Sequence, residues 1–329
     1  MLYLHGVGHF HPENIIDNQF LENLDIGTTH EWILERVGIE SRRTVLPLDY
    51  LKETKNADVA MAREASLYTN AQTGALASRM AVEKAGLKLS DIGMVISGSC
   101  TPQYSCPAEA CTIAGELELE VPAMDINSAC SSMAAQLNFL NTMQPDALPE
   151  YILVVNPENS TRSIDYSDRS SAVLWGDCTS AMVVSTKTPS KIKVLHSFLT
   201  SSPKGWEKVT FRTGSHFKQD GRTVQTFAIK RSLAIIKKMR EIIEGERENN
   251  VKFIGHQANL LMLNSVCRMA EIDSKNHFFN VDKFGNCGAA GAPSVLSQNI
   301  DSLVAGDLVI MGVVGAGLSW GGVLLEVAK

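Results

Sequence analysis

The chain is 329 residues long, 44% apolar and 20% charged, with a formal net charge of −6. That is an ordinary globular composition for one large domain or two, and a net acidic chain has no overall attraction for nucleic acid. Seven cysteines, at positions 100, 106, 111, 130, 178, 267 and 287, form an odd, irregular set without a CxxC; this argues against a disulfide framework or a zinc site and for reduced thiols in a cytoplasm.

The opening stretch, MLYLHGVGHFHPEN, has no basic start followed by a long apolar run, so no secretory signal is expected. Helical patterns follow at 74–85, 106–116, 131–143, 226–244, 260–269 and near 291–304. Strand-like apolar runs lie at 93–97, 151–156, 181–185, 253–256, 308–314 and 322–327. Strands alternating with helices predict an α/β fold with buried sheets. The polar region 201–222 reads as a loop or excursion. Residues 308–325 carry no charge and are long enough to span a bilayer, but five glycines interrupt them. Two buried strands joined by a tight Gly-rich turn are expected there, and no membrane span. The halves echo one another faintly: DIGMVISGSC against NNVKFIGHQAN, and INSACSSMAAQL against FGNCGAAGAPSVL. By itself the echo is compatible with coincidence or with two facing repeats.

Cys130 stands where an apolar approach turns into an amphipathic helix carrying Met133, Ala134, Leu137 and Leu140 on one face. Its neighbours Ser128, Ala129, Ser131 and Ser132 are small, as a crowded elbow requires. A thiol at a helix N-terminus sits in the positive end of the dipole, which favours the thiolate. The competing reading is a buried free cysteine serving as a small hydrophobe. A nucleophile also needs proton traffic and oxyanion donors. His256 directly follows a buried strand, and Asn286 lies in a loop of glycine and alanine that would let a substrate approach its amide.

These motifs resemble those of the β-ketoacyl-acyl carrier protein synthase III family, condensing enzymes of the thiolase superfamily. The resemblance rests on THEWILERVGIESRR, DINSACSSMAAQL, WGDCTSAMVV, GHQANL, FGNCGAAGAPSVL and GAGLSWGGVLLEV, and covers nearly the whole chain. It implies a duplicated α/β/α/β/α five-layer fold, with residues 1–165 carrying the nucleophile and 166–329 carrying the histidine and asparagine. It further implies a homodimer, and acyl-CoA, malonyl-type thioesters and acyl carrier protein as partners. No metal and no resident cofactor are expected, since the coenzyme A and phosphopantetheine thioesters are substrates. Carried over to this sequence, the catalytic residues are Cys130, His256 and Asn286. The backbone N–H groups of Cys130 and Ala316 form the oxyanion hole. Trp32 and Arg162 sandwich the adenine, Arg36 contacts phosphate and Asn259 contacts the pantetheine. A basic helix with Lys230, Arg231, Lys237, Lys238 and Arg240 is a candidate carrier-docking face, against the reading of an ordinary solvated face.

The sequence departs from the family pattern at two acyl-pocket positions, where Cys106 and Val314 stand in place of aromatics. Residues 46–70 look longer than usual and 201–222 shorter. A wider acyl pocket is expected, so that specialised-metabolite synthesis competes with priming of fatty-acid synthesis as the role. Rival readings are acyl transfer to an alcohol or amine without decarboxylation, and a non-catalytic partner subunit. A thiolase is disfavoured because GAGLSWGG lacks a second cysteine, and a papain-like protease because its cysteine signature is absent.

Overall fold

The computed structural model describes residues 1–243 and 251–328. Nine strands form one sheet: β1 (Leu2–Phe10), β2 (Ile92–Ser97), β3 (Ala123–Asp125), β4 (Tyr151–Glu158), β5 (Cys178–Ser185), β6 (Ile192–Ser201), β7 (Val251–Gly255), β8 (Leu308–Gly315) and β9 (Ser319–Val327). Their order is β7-β8-β9-β6-β1-β5-β4-β2-β3. Read outward from the β1–β6 junction, β1-β5-β4-β2 is mirrored by β6-β9-β8-β7. The faint sequence echo is therefore a structural duplication. β1 and β6 touch over only three antiparallel pairs, Leu2–Leu4 against Ile192–Val194. The break between the halves falls later than the expected 165/166, because β5 is hydrogen-bonded between β1 and β4 and belongs to the first half.

The principal helices are α1 (His30–Val37), α2 (Asn70–Lys84), α3 (Glu109–Glu116), α4 (Ser132–Thr142), α5 (Gly221–Arg240), α6 (Leu260–Met269) and α7 (Gly291–Asn299). α4 and α7 lie in one core with β1, β4, β8 and β9, through Met133, Leu137, Val295, Val154, Met311 and Val323. α2 and α3 pack on the outer face of the first half, and α5 and α6 on that of the second. This gives five layers with α4 and α7 in the middle. That position explains why α4 is buried nearly all round, Ser132 and Gln136 included.

Local chemistry sets the boundaries. α2 begins earlier than expected because Thr69 and Gln72 form a capping box. α3 begins at Glu109, where the Asp125 carboxylate accepts from the Glu109 and Ala110 N–H groups at 2.8 and 2.9 Å. α5 begins at Gly221 behind an Asp220 cap; Glu244, the expected end, lies outside the described residues. The uncharged run 308–325 is two antiparallel strands, β8 and β9. Among the described residues, no helix is long and apolar enough to cross a membrane. β1 escapes the periodicity because Gly6 and Gly8 occupy inward positions. A Cβ there would stand 2.1 Å from the Ala81 carbonyl oxygen and 2.2 Å from that of Ala77, so the α2 backbone packs directly on the strand.

Candidate active site

Cys130 ends the approach from β3 and immediately precedes α4, in the middle layer. Ala129 takes φ +49°, a left-handed conformation that a non-glycine residue holds only under constraint. The constraint is visible. Asn127 Oδ1 accepts from the Ala129 N–H at 2.9 Å, and Ser132 Oγ accepts from the Ser128 N–H at 2.9 Å. Ser131 Oγ is 2.7 Å from Ser319 Oγ, and Ser319 Oγ donates to the Ala316 carbonyl at 2.8 Å. The small residues around Cys130 thus tie the elbow to the Gly-rich turn between β8 and β9. At Gly315 a Cβ would meet the Ser131 nitrogen at 2.9 Å and the Cys130 nitrogen at 3.1 Å, so only glycine admits this approach.

His256 follows β7 at once. The next residue, Gln257, is wholly buried and anchors the loop by donating to the Gly255 carbonyl (2.7 Å) and accepting from the Asn280 N–H (3.1 Å). Asn286 is gripped through its backbone: its N–H donates to the Leu174 carbonyl at 2.7 Å, and its carbonyl accepts from Gly176 at 3.1 Å. Its Oδ1 accepts from the Gly288 N–H at 3.0 Å, which leaves Nδ2 available for a ligand. Cys130, His256 and Asn286 are each buried, and all three line one cavity of ≈ 340 Å³ together with Val314 and Ala316. The Cys130 thiol is held well below the usual thiol range. A hydrogen bond from the Cys100 thiol is the largest cause, burial opposes it, and the His256 ring adds a hydrogen bond and charge.

The same cavity reaches Trp32, Arg36 and Asn259. Thr29 caps α1 by accepting from the Trp32 N–H at 3.1 Å, and Trp32 and Arg36 lie one turn apart. Asn259 caps α6 through Oδ1, while its Nδ2 lies 3.5 Å from the Arg36 carbonyl. Arg162 is not at this mouth, which corrects the expected sandwich. It is 2% exposed and donates to the Asn159 carbonyl (3.1 Å), Gln103 Oε1 (2.5 Å) and Asn70 Oδ1 (2.6 Å). The arginines over the Trp32 ring are Arg169, 4.8 Å from its centroid and exposed, and Arg36, at 5.6 Å. STRSIDYSDR holds Arg169 too, directly behind a helix-capping Asp168, but with no local mark that separates its role from that of Arg162. Arg169→Ala is expected to raise the KM for a coenzyme A thioester about two- to fivefold at unchanged stability, as loss of an exposed cation–π partner implies. Arg162→Ala is expected to cost about 3 kcal/mol of stability, because it strands buried polar partners. Thermal melts beside steady-state kinetics separate the two.

Cys106 is exposed and does not line the cavity within this chain, whereas Val314 does. Of the basic helix, Lys230, Lys237 and Lys238 are exposed. Arg231 stacks 3.9 Å over Trp320, Lys238 lies 3.8 Å over Phe198, and Arg240 donates to the Ala270 carbonyl at 2.7 Å. Among the described residues, no group of three His, Cys, Asp or Glu side chains could hold a metal ion.

A family model described as 3-oxoacyl-[acyl-carrier-protein] synthase III matches residues 124–203, and one described as its C terminal matches 245–327. A β-ketoacyl-[acyl-carrier-protein] synthase III of Syntrophomonas wolfei is 31% identical, over 98% of this chain and 96% of the relative. The chain belongs to the β-ketoacyl-[acyl-carrier-protein] synthase III family. It is a ketosynthase, a condensing enzyme of acyltransferase type. A synthase III of Coxiella burnetii is 28% identical over 98% of each chain. The solved synthase III of Aquifex aeolicus matches the thiolase-like fold with a TM-score of 0.87 at 27% identity, over 99% of this chain and 100% of that one.

Proposed function

We propose that this ketosynthase forms an acyl-Cys130 intermediate and condenses it with a malonyl-type thioester, using His256 and Asn286 as the enolate donors. The observation that carries the reading is the convergence of these three side chains on one cavity at the start of the central helix. In the first step the Cys130 thiolate attacks an acyl thioester; a bond forms from Sγ to the acyl carbon and the coenzyme A or carrier thiolate leaves. The N–H groups of Cys130 and Ala316 stabilise the tetrahedral oxyanion. In the second step the C–C bond to the malonyl carboxylate breaks and CO2 leaves. The electron pair goes to an enolate oxygen that accepts from a ring N–H of His256 and from Asn286 Nδ2. The enolate carbon then attacks acyl-Cys130 and the thiolate returns. Cys287 does not act as a second thiolase-type cysteine, since its thiol donates to the Phe284 carbonyl at 3.3 Å, buried away from the cavity.

Trp32 and Arg169 stack on the adenine of coenzyme A, Arg36 contacts phosphate, and Asn259 Nδ2 meets the pantetheine. Acyl carrier protein docks through exposed Lys230 and Lys237, and the enzyme works as a homodimer in which the segment around Cys106 reaches the partner's acyl pocket. The product enters fatty-acid or specialised-metabolite biosynthesis. A longer acyl group is favoured by one specific feature: Cys130 also lines a second cleft of ≈ 540 Å³ with Cys100, Ala129, Trp206 and Phe211. Intact-protein mass spectrometry after incubation with acetyl- to dodecanoyl-CoA tests this. Medium-chain donors are expected to label Cys130 several-fold more than acetyl-CoA, and a clear preference for acetyl- over octanoyl-CoA would sink the wide-pocket reading.

A further inference from the structure

We propose that Cys100 is a second working thiol of this active site: its S–H donates to the Cys130 thiolate, and buried Glu158 positions it. The inference deepens the proposed ketosynthase mechanism and rests on Cys130 being its nucleophile.

The two sulfurs are 3.5 Å apart and both thiols line the second cleft. Cys100 is not there by loose packing. Its backbone N–H donates to both carboxyl oxygens of Glu158, at 3.0 and 3.1 Å. Glu158 is wholly buried at the end of β4, and it also accepts from the Ala289 N–H at 3.1 Å. A Cβ on Gly288 would come within 2.8 Å of the Glu158 carboxyl carbon, so glycine is needed for that contact. One carboxyl therefore clamps the Cys100 loop to the loop that carries Asn286.

The direction of the S–H bond follows from the groups around the pair. Cys130 faces the His256 ring and the N-terminus of α4, both of which favour negative charge. Cys100 is bonded to the Cys130 sulfur and buried beside it, and a second negative charge there would be repelled by the Cys130 thiolate, which together hold its thiol well above the usual range. Burial pushes the Glu158 carboxyl up to about 8, so it does not compete as the site of charge. The proton accordingly stays on Cys100. A thiol is a weak donor to a neutral acceptor, but a bond to a thiolate in a desolvated site is charge-assisted. When Cys130 becomes a thioester its sulfur accepts poorly and this bond is given up. It re-forms as the thiolate leaves in the condensation step, so Cys100 stabilises both the nucleophile and the leaving group.

The test is the pH dependence of iodoacetamide labelling at Cys130, read on the Cys130 peptide so that labelling of Cys100 does not interfere. Cys100→Ala and the bulkier Cys100→Val remove the donor, and Cys100→Ser keeps one. Both donor-less variants are expected to move the labelling midpoint up by about one pH unit. Labelling would then be about tenfold slower below the midpoint and converge with the wild type above it. Cys100→Ser is expected to stay near the wild-type curve. Folded Ala or Val variants that label on the wild-type curve would overturn the proposal, as would a Ser variant that behaves like them. The labelling needs no condensation, so failure of the ketosynthase reading appears separately, as a wild-type enzyme that takes no acyl group from any donor.

Discussion

Cys130→Ala will take up no acyl group and will lose condensation by about 10⁴-fold or more, because no other group can form the covalent intermediate. Cys100 does not substitute: its bond to the neighbouring thiolate and its burial hold it protonated, and it lacks the helix N-terminus and the His256 ring. Mass spectrometry of the intact chain against the wild type checks this directly, and a mass gain retained in the variant would place the nucleophile elsewhere. The depressed Cys130 thiol also fixes a sign. Acylation rate should hold through neutral pH and fall as pH drops through the folded-state value, where the thiolate is protonated.

Removing either proposed enolate donor, His256 or Asn286, should slow condensation about 10²- to 10³-fold, the loss typical of one donor in an oxyanion site. The two variants are expected to differ in the first half-reaction. Asn286 has no part in holding the thiolate, so Asn286→Ala should acylate Cys130 within a few-fold of the wild type while CO2 release collapses. His256 lines the same cavity and favours the thiolate, so His256→Ala should lose acylation at neutral pH as well and recover it as pH rises. Asn286→Asp should be at least as damaging as Ala, since a carboxylate would face the developing enolate. Single-turnover acyl labelling and CO2 trapping from a malonyl thioester separate the steps. Equal losses in both steps for Asn286→Ala would contradict the assignment.

The site residues that were legible in the sequence are those whose chemistry is tied to a local motif. Cys130 announces itself by small neighbours at a helix start, and His256 and Asn286 by short motifs at the ends of buried segments. Residues set by contacts across the sheet were not legible. Arg162 and Arg169 lie seven positions apart in one polar stretch, and nothing local says which is buried on Asn70 and which lies over Trp32. Cys100 lies 30 residues before Cys130 and reads as an unremarkable thiol at a strand end. Glu158 follows an apolar strand and carries no motif, yet it is wholly buried between two functional loops.

The sequence alone determined the α/β class and the family, and it brought Cys130, His256 and Asn286 forward as the candidate set, because helix and strand periods and short functional motifs are local properties of the chain. Tertiary structure decided where the two halves divide, that β1 is a central strand despite its glycines, which arginine meets Trp32, and that a second thiol touches the first. These depend on which backbones come within van der Waals contact and which buried polar groups find partners. Such pairings join residues tens to hundreds of positions apart, and no local pattern records them.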